Sequence, residues 1–401
     1  MSRTATVVVL GIGQTLGWGS TYYLPAVLAA PMARELGVPT AMVYAAFSAS
    51  LVLSALIGPA AGRLIDRHGG RGLLMATNVI FALGLAALGA AQGAVSLFAA
   101  WAVLGVGMGS GLYEAAFATV VRLWRYESRN AITGITLIAG FASTVAWPLS
   151  AWLDAEFGWR TACLAWAGLH LGVALPLHMR VPRPVEDYAP AAQPGAEAPV
   201  AESAASEPLP TNPTVTAAVL GYVFAVTWFI ATAMAAHLPR MLEAAGASVT
   251  LAVAAGALIG PAQVGARLLE FSLLRHLSPL FSARLAAVAH PLGALALLFG
   301  GGGFAAAFTV LHGAGNGILT IAKGTLPLVF FGPDGYGARQ GWLMLPARVA
   351  QAIAPLAFSL ALDGLGGQVA WLSGGLATSA LLALLLLRPP TRSAMSMTSK
   401  A

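Results

Sequence analysis

Gly58-Pro59-Ala60-Ala61-Gly62-Arg63-Leu64-Ile65-Asp66-Arg67-His68-Gly69-Gly70-Arg71 is a short, charged, glycine-punctuated stretch between two apolar runs. Thr40 to Pro59 precedes it, and from Gly72 to Tyr113 there is no Asp, Glu, Lys or Arg. A run of that length exceeds any soluble core element and reads as two membrane crossings joined by an uncharged turn. The charged stretch is then expected to be the loop between the second and third crossings.

The totals agree with that reading. Of 401 residues, 58% are apolar and 9% charged, and the mean hydropathy is +0.78; soluble domains carry about 25% charged residues. No cleavable signal peptide is expected, because Arg3 is followed by an apolar run long enough to span. The lone Cys163 excludes an internal disulfide and a thiolate metal cluster. The net charge of +6 does not point to nucleic acid, since the basic residues form short clusters between apolar runs. Phosphate-loop and zincin spacings are absent, so neither an energy-coupling cassette, a cofactor nor a bound metal is implied.

Segments able to cross a core of about 30 Å fall near residues 6–31, 40–64, 72–93, 96–122, 131–153, 160–181, 214–239, 249–275, 282–301, 303–330, 338–362 and 368–388. The expected fold is therefore all-α, with twelve transmembrane helices in two six-helix bundles, residues 1–181 and 214–401. Residues 182–213, rich in proline and carrying Glu186, Asp187, Glu197, Glu202 and Glu207, read as a disordered cytosolic linker. With both termini inside, the basic clusters fall on the inner side and only Arg34, Arg160 and Arg240 lie outside. The halves repeat weakly: Gly58-Pro59-Ala60 corresponds to Gly260-Pro261-Ala262, and Pro148-Leu149 to Pro355-Leu356. Such a repeat implies two bundles around a central cavity.

The stretch Gly62-Arg63-Leu64-Ile65-Asp66-Arg67-His68-Gly69-Gly70-Arg71 closely resembles the signature between the second and third helices of major facilitator superfamily transporters, and Phe157-Gly158-Trp159-Arg160 is also similar to that family. The resemblance implies a secondary transporter of the cytoplasmic membrane, not an enzyme, working by alternating access. It also implies gating by Gly62, Arg63, Asp66, Arg67 and Arg71. Asp66 would pair with a basic residue at the inner end of the fourth span, which Arg122 fits by position, and with the start of the eleventh span near Arg339. The plainer alternative is a solvated loop that serves topology alone.

Ionisable groups inside the spans are costly and usually functional. Glu114 closes the charge-free run about 12 Å above Arg122. Lys323 is the one lysine in any span, at similar depth on the tenth helix, and the two could meet across the cavity. Arg348 lies about 15 Å into the eleventh span; its first-half counterpart is near Phe141. Arg267 could be a cavity residue or the second copy of the rim residue Arg63, and Glu270 is available to pair with it. Gln14, Tyr22, Tyr113, Gln263, Asn316 and Gln351 are candidate polar contacts, though such residues more often bond helix to helix. His170, His178, His237, His290 and His312 read mainly as packing, with His237 and His312 as candidate proton relays.

Gly13-Gln14-Thr15-Leu16-Gly17-Trp18-Gly19 resembles the first helix of monocarboxylate transporters and oxalate–formate exchangers. Those relatives hold a carboxylate with cations on helices eight and eleven, where Arg267 and Arg348 fall. The pattern departs at Gln263, where monocarboxylate transporters carry an acid, and at Trp101, where drug–proton antiporters often carry Arg. Three cations against Glu114 leave a positive surplus that an anionic cargo would complete. The expected partner is a small organic anion, with protons as a candidate coupling ion and the lipid bilayer as surroundings, in a monomer. Proton-coupled efflux of a drug-like or metalloid compound is the second reading.

Overall fold

The computed structural model describes residues 1–184 and 212–388. Most of the 182–213 segment, including Glu186, Asp187, Glu197, Glu202 and Glu207, therefore lies outside the described residues. Among the described residues the chain is helical, with no strand. The first half contains α1 (Arg3–Ser20), α2 (Pro25–Leu36), α3 (Thr40–His68), α4 (Gly70–Gly89), α5 (Ala94–Gly111), α6 (Tyr113–Trp124), α7 (Arg129–Ala139), α8 (Ala142–Leu169) and α9 (Leu175–His178). The second contains α10 (Pro213–Ala244), α11 (Val249–Gly256), α12 (Ile259–Ser272), α13 (Pro279–Gly300), α14 (Ala305–Phe331), α15 (Tyr336–Leu365) and α16 (Val369–Leu386).

Among the described residues, seven continuous helical stretches are long and apolar enough to cross a membrane, and three of them run to 85, 53 and 51 residues. One crossing needs about 20 residues, so these three have length for more than one passage, and local backbone chemistry divides them. Gly158 adopts φ 81° within α8, a left-handed turn that a side-chain-bearing residue disfavours. The helix is thus kinked at Gly158, between Phe157 and Trp159. A five-residue π-helical bulge, His170–Ala174, separates α8 from α9.

Two expectations about local structure are corrected. The charged stretch is not a loop: α3 continues through Arg63, Asp66 and Arg67 and stops only at Gly69, whose φ is 77°. Asp66 therefore has the fixed direction of a helical side chain. Two expected single spans are also interrupted, the first between Ser20 and Pro25 and the fourth at Leu112. Each half packs within itself through α3–α5, α4–α5, α13–α14 and α12–α14, and the halves meet along α3–α15, α6–α15 and α7–α12. Surfaces turned away from these seams carry exposed Leu, Val, Phe and Trp, as lipid-facing surfaces do.

Candidate functional site

The break at Leu112 (φ −82°, ψ −163°) makes α6 begin in the middle of an apolar stretch. The Ala115 amide turns to the Leu112 carbonyl, which leaves the Gly111 carbonyl without its helical partner. Gln14 Nε2 from α1 donates to that carbonyl at 2.7 Å. Gln14 thus serves as a cap for the broken helix, a task its position in the sequence does not disclose. The break also places Glu114 in the first turn of α6, where the unpaired amides of a helix start favour negative charge.

Glu114 meets Arg348 of α15. Arg348 Nη2 donates to Oε1 at 2.9 Å and Oε2 at 2.8 Å, and Nη1 donates to Gln351 Oε1 at 3.0 Å. The side chains are 4% and 17% exposed. The anticipated meeting of Glu114 with Lys323 is therefore not what is found: the carboxylate is committed to Arg348. Lys323 is 4% exposed and its Nζ has no hydrogen-bond acceptor among the described residues. It lies 4.0 Å from the ring centroid of Trp228, a cation–π contact.

Trp228 stacks on Trp18 with centroids 5.8 Å apart and planes 10° apart. The two tryptophans stand equally far from the starts of α10 and α1, and one turn further on Tyr22 and Thr232 share a hydrogen bond of 2.9 Å. The Arg348 guanidinium carbon is 5.7 Å from each indole. Tyr113 lies 5.0 Å from Trp18 and stacks on Phe117. Five helices, α1, α6, α10, α14 and α15, thus bring two cations and one carboxylate into an aromatic cage shared by both halves. Buried and without partners among the described residues are four donors, Lys323 Nζ, Trp18 Nε1, Trp228 Nε1 and Gln351 Nε2, against two acceptors, Gln14 Oε1 and the Oε1 of Gln340, whose Nε2 donates to the Lys323 carbonyl. A groove of about 670 Å³ between α10 and α15, lined by Tyr222, Arg339 and Trp342, lies apart from this cluster.

Arg267, Gln263 and Asn316 are not in the cage contacts. Arg267 Nη1 reaches across to the Thr136 carbonyl of α7 at 3.1 Å, its Nε donates to the Gly317 carbonyl at 3.4 Å, and Nη2 reaches Gln263 Oε1 at 3.5 Å. A side chain at Gly140 would collide with this guanidinium. One turn along α12, Glu270 takes Arg129 of α7 at 3.0 Å, so Glu270 is not the partner of Arg267. Both belong to the α7–α12 seam. Asn316 lines a small cavity beside His290 and His312.

At the α3–α15 seam, Asp66 Oδ1 accepts from the Gly337 amide and Oδ2 from the Ala338 amide, each at 2.8 Å. These amides open α15, so the carboxylate caps a helix N-terminus belonging to the other half. Arg122 forms no ion pair among the described residues, so the expected pairing with Asp66 is not formed. Gly62 allows this approach: a Cβ there would overlap the Gly337 carbonyl, and one at Gly341 would meet Pro59 at 2.6 Å. Arg125–Asp334 adds a surface ion pair between the halves. Arg63, Arg67 and Arg71 make no ion pair among the described residues. At the opposite end, Arg160 and Trp159 donate to Glu35 at 2.7 and 2.5 Å.

Comparison with known proteins agrees with this architecture. The human organic anion transporter MFSD10 (TETRAN) superposes with a TM-score of 0.70 at 17% identity, over 96% of this chain and 100% of that one. The proton:xylose symporter XylE gives 0.69 at 14% identity, over 96% and 95%. FucP in its outward conformation gives 0.70 at 15% identity, over 96% and 99%. An uncharacterized 38 kDa protein of Thermoproteus tenax is 33% identical over 159 residues, which are 39% of this chain and 41% of that protein. The chain thus spans less than half the length of that curated relative. The profile described as Major Facilitator Superfamily matches residues 10–309, three quarters of the sequence, and the chain, a multi-pass membrane transporter rather than an enzyme, belongs to that superfamily.

Proposed function

We propose that this chain is a secondary transporter that carries a small organic anion, a carboxylate, across the cytoplasmic membrane by alternating access. In this reading twelve spans form two bundles, residues 1–181 and 214–401, joined by a cytosolic linker at 182–213, with both termini in the cytosol. The single observation that carries the proposal is Lys323: a buried ammonium with no acceptor, seated on Trp228. An uncompensated charge away from water is expensive, and Glu114 is already engaged by Arg348. A carboxylate entering beside Lys323 supplies the missing acceptor. The excess of unpaired donors over acceptors around it favours the same class of cargo. The likeness to a protein described as an organic anion transporter is compatible with the reading but, at that identity, is a likeness of fold.

In the working cycle Lys323 holds the carboxylate, and Arg348 divides its guanidinium between the cargo and Glu114. Tyr113, Trp18 and Trp228 wall the cage. Asp66 with the α15 amides, and Arg267 and Arg129 across the α7–α12 seam, hold the cytosolic side shut while the outer side exchanges cargo. Gly62 sets the spacing of that gate, and Arg63, Arg67, Arg71 and Arg122 fix its side of the membrane through their charge.

The test is counterflow in proteoliposomes across a panel of carboxylates and their neutral amides, with wild type, Lys323→Gln and Arg348→Gln. Carboxylates are expected to exchange and amides not, with flux reduced at least tenfold in Lys323→Gln. Equal flux of acids and amides, or an unaffected Lys323→Gln, would overturn the assignment.

A further inference from the structure

His290 of α13 and His312 of α14 are the part of the molecule that neither gate nor cage uses. Their Nδ1 atoms are 2.8 Å apart. Both residues are buried, and His290 Nε2 has no hydrogen-bond partner. Two imidazole nitrogens at that distance must share a hydrogen, so in the neutral pair one ring is an Nδ1–H tautomer and the other accepts through its lone pair. The rings are locked in place by Phe308, which stacks on His312 and meets His290 edge-on. Beside them is a cavity of about 30 Å³ whose polar walls are Thr227 and Asn316, room for about one water.

We propose that His290 and His312 form a proton-binding site, taking up one proton that the two rings hold in common. The proton adds to the free nitrogen lone pair of the Nδ1–H ring, forming a new N–H bond. The bridge between the rings then becomes a charge-assisted N–H···N bond, stronger than the neutral one. The site is placed to communicate with the cage. His312, Asn316, Thr320 and Lys323 follow one another along one stripe of α14 at three- and four-residue steps, and Thr227 precedes Trp228.

No charged side chain lines the cavity. On the helices packed around α13 and α14, the ionisable groups are engaged elsewhere or, like Glu243 at the end of α10, exposed. His237 bonds the Pro355 carbonyl, Tyr222 bonds Ser379 and Arg240 pairs with Asp363. Arg267 holds the Thr136 and Gly317 carbonyls, Glu270 holds Arg129, and Arg348 holds Glu114. Tyr336 donates to the Gly324 carbonyl, and Arg339 is bound to carbonyls at the end of α14. Arg284 is tied to carbonyls near the end of α16, while α11 and α16 carry no ionisable side chain.

The measurement is a difference proton titration of the purified full-length chain between about pH 8 and 4, comparing wild type, His290→Asn, His312→Asn and the double variant. Each single variant is expected to take up its proton only at lower pH than wild type, because the remaining ring has lost the bridging N–H···N bond, and the double variant to bind about one proton fewer than wild type, because the pair holds only one. Titrating wild type labelled with ¹⁵N in its histidine rings needs no variant, and is expected to show both Nδ1 resonances moving together. Uptake at an unchanged pH in the single variants, a second proton lost in the double variant, or two rings that titrate independently would overturn the proposal.

Discussion

Replacing Glu114 tests whether the buried charges of the cage act as a unit. Both Glu114 oxygens are contacted by one Arg348 nitrogen, at 2.8 and 2.9 Å, in a place where neither side chain is more than 17% exposed. With charge centres about 4 Å apart and an effective dielectric of about 20, their attraction is about 4 kcal/mol. Removing one member of a buried pair costs about 3–5 kcal/mol, since the other charge stays buried and unmatched. Glu114→Gln leaves Arg348 with Gln351 and two indole faces, beside an unmatched Lys323. Arg348→Gln leaves Glu114 a second cation, Lys323, within the same cage. Glu114→Gln is therefore expected to be the more damaging single change. The double neutral variant Glu114→Gln/Arg348→Gln should lose about 3 kcal/mol less than the sum of the singles. Unfolding of the purified protein by increasing SDS mole fraction, followed by tryptophan fluorescence, gives the four free energies needed. Additivity to within about 0.5 kcal/mol would refute the pair as an energetic unit, and an Arg348→Gln worse than Glu114→Gln would refute the part given to Lys323.

Asp66→Asn removes the negative charge from the α15 N-terminus and one of two amide acceptors. A loss of about 2–3 kcal/mol shifts the balance toward opening of the α3–α15 seam by roughly 30- to 150-fold; distances between spin labels on the Asp66 ends of α3 and α15 should broaden, and an unchanged distribution would contradict the capping account. Gln14→Leu leaves the Gly111 carbonyl unpaired beneath the α6 break and is expected to cost about 1–3 kcal/mol in the same SDS unfolding measurement. The Arg160 hydrogen bond, with help from Trp159, holds the Glu35 carboxyl below the usual carboxylate range. That contribution is full above the ordinary carboxylate pKa and is lost as pH falls through the lowered one; accessibility of a label beside Arg160 should rise only in acid, and a rise near neutrality would exclude this origin.

The second and third helices were legible because long apolar runs on either side of a glycine-bounded charge cluster fit a membrane and fit little else. Asp66 was readable as a contact to the start of α15 only through the resemblance to the superfamily signature, with which an acid at a helix start is consistent. Its helical setting was hidden, because the charged turn of α3 looks like a loop until Gly69 is seen to be the stop. Lys323 and Arg348 stood out as charges in apolar runs, but the choice of Glu114 between them is decided by side-chain reach across residues 234 positions apart. The α6 break was concealed within a glycine string that reads equally well as a close-packing surface. Arg267 was ambiguous by depth alone; its direction follows from Gly140 on the α7 side, which has no signature in the α12 sequence. The His290–His312 contact joins two helices at a spacing of no periodic meaning.

Where α3 crosses α15, Gly62 and Gly341 leave backbone against backbone, with no interleaved side chains to slide over one another. One methyl group is then a doorstop: Gly62→Ala would wedge the halves apart from the Asp66 end while leaving the charges of the cage untouched. Such a variant offers a practical route to capturing a form with the α3–α15 seam parted for structural work.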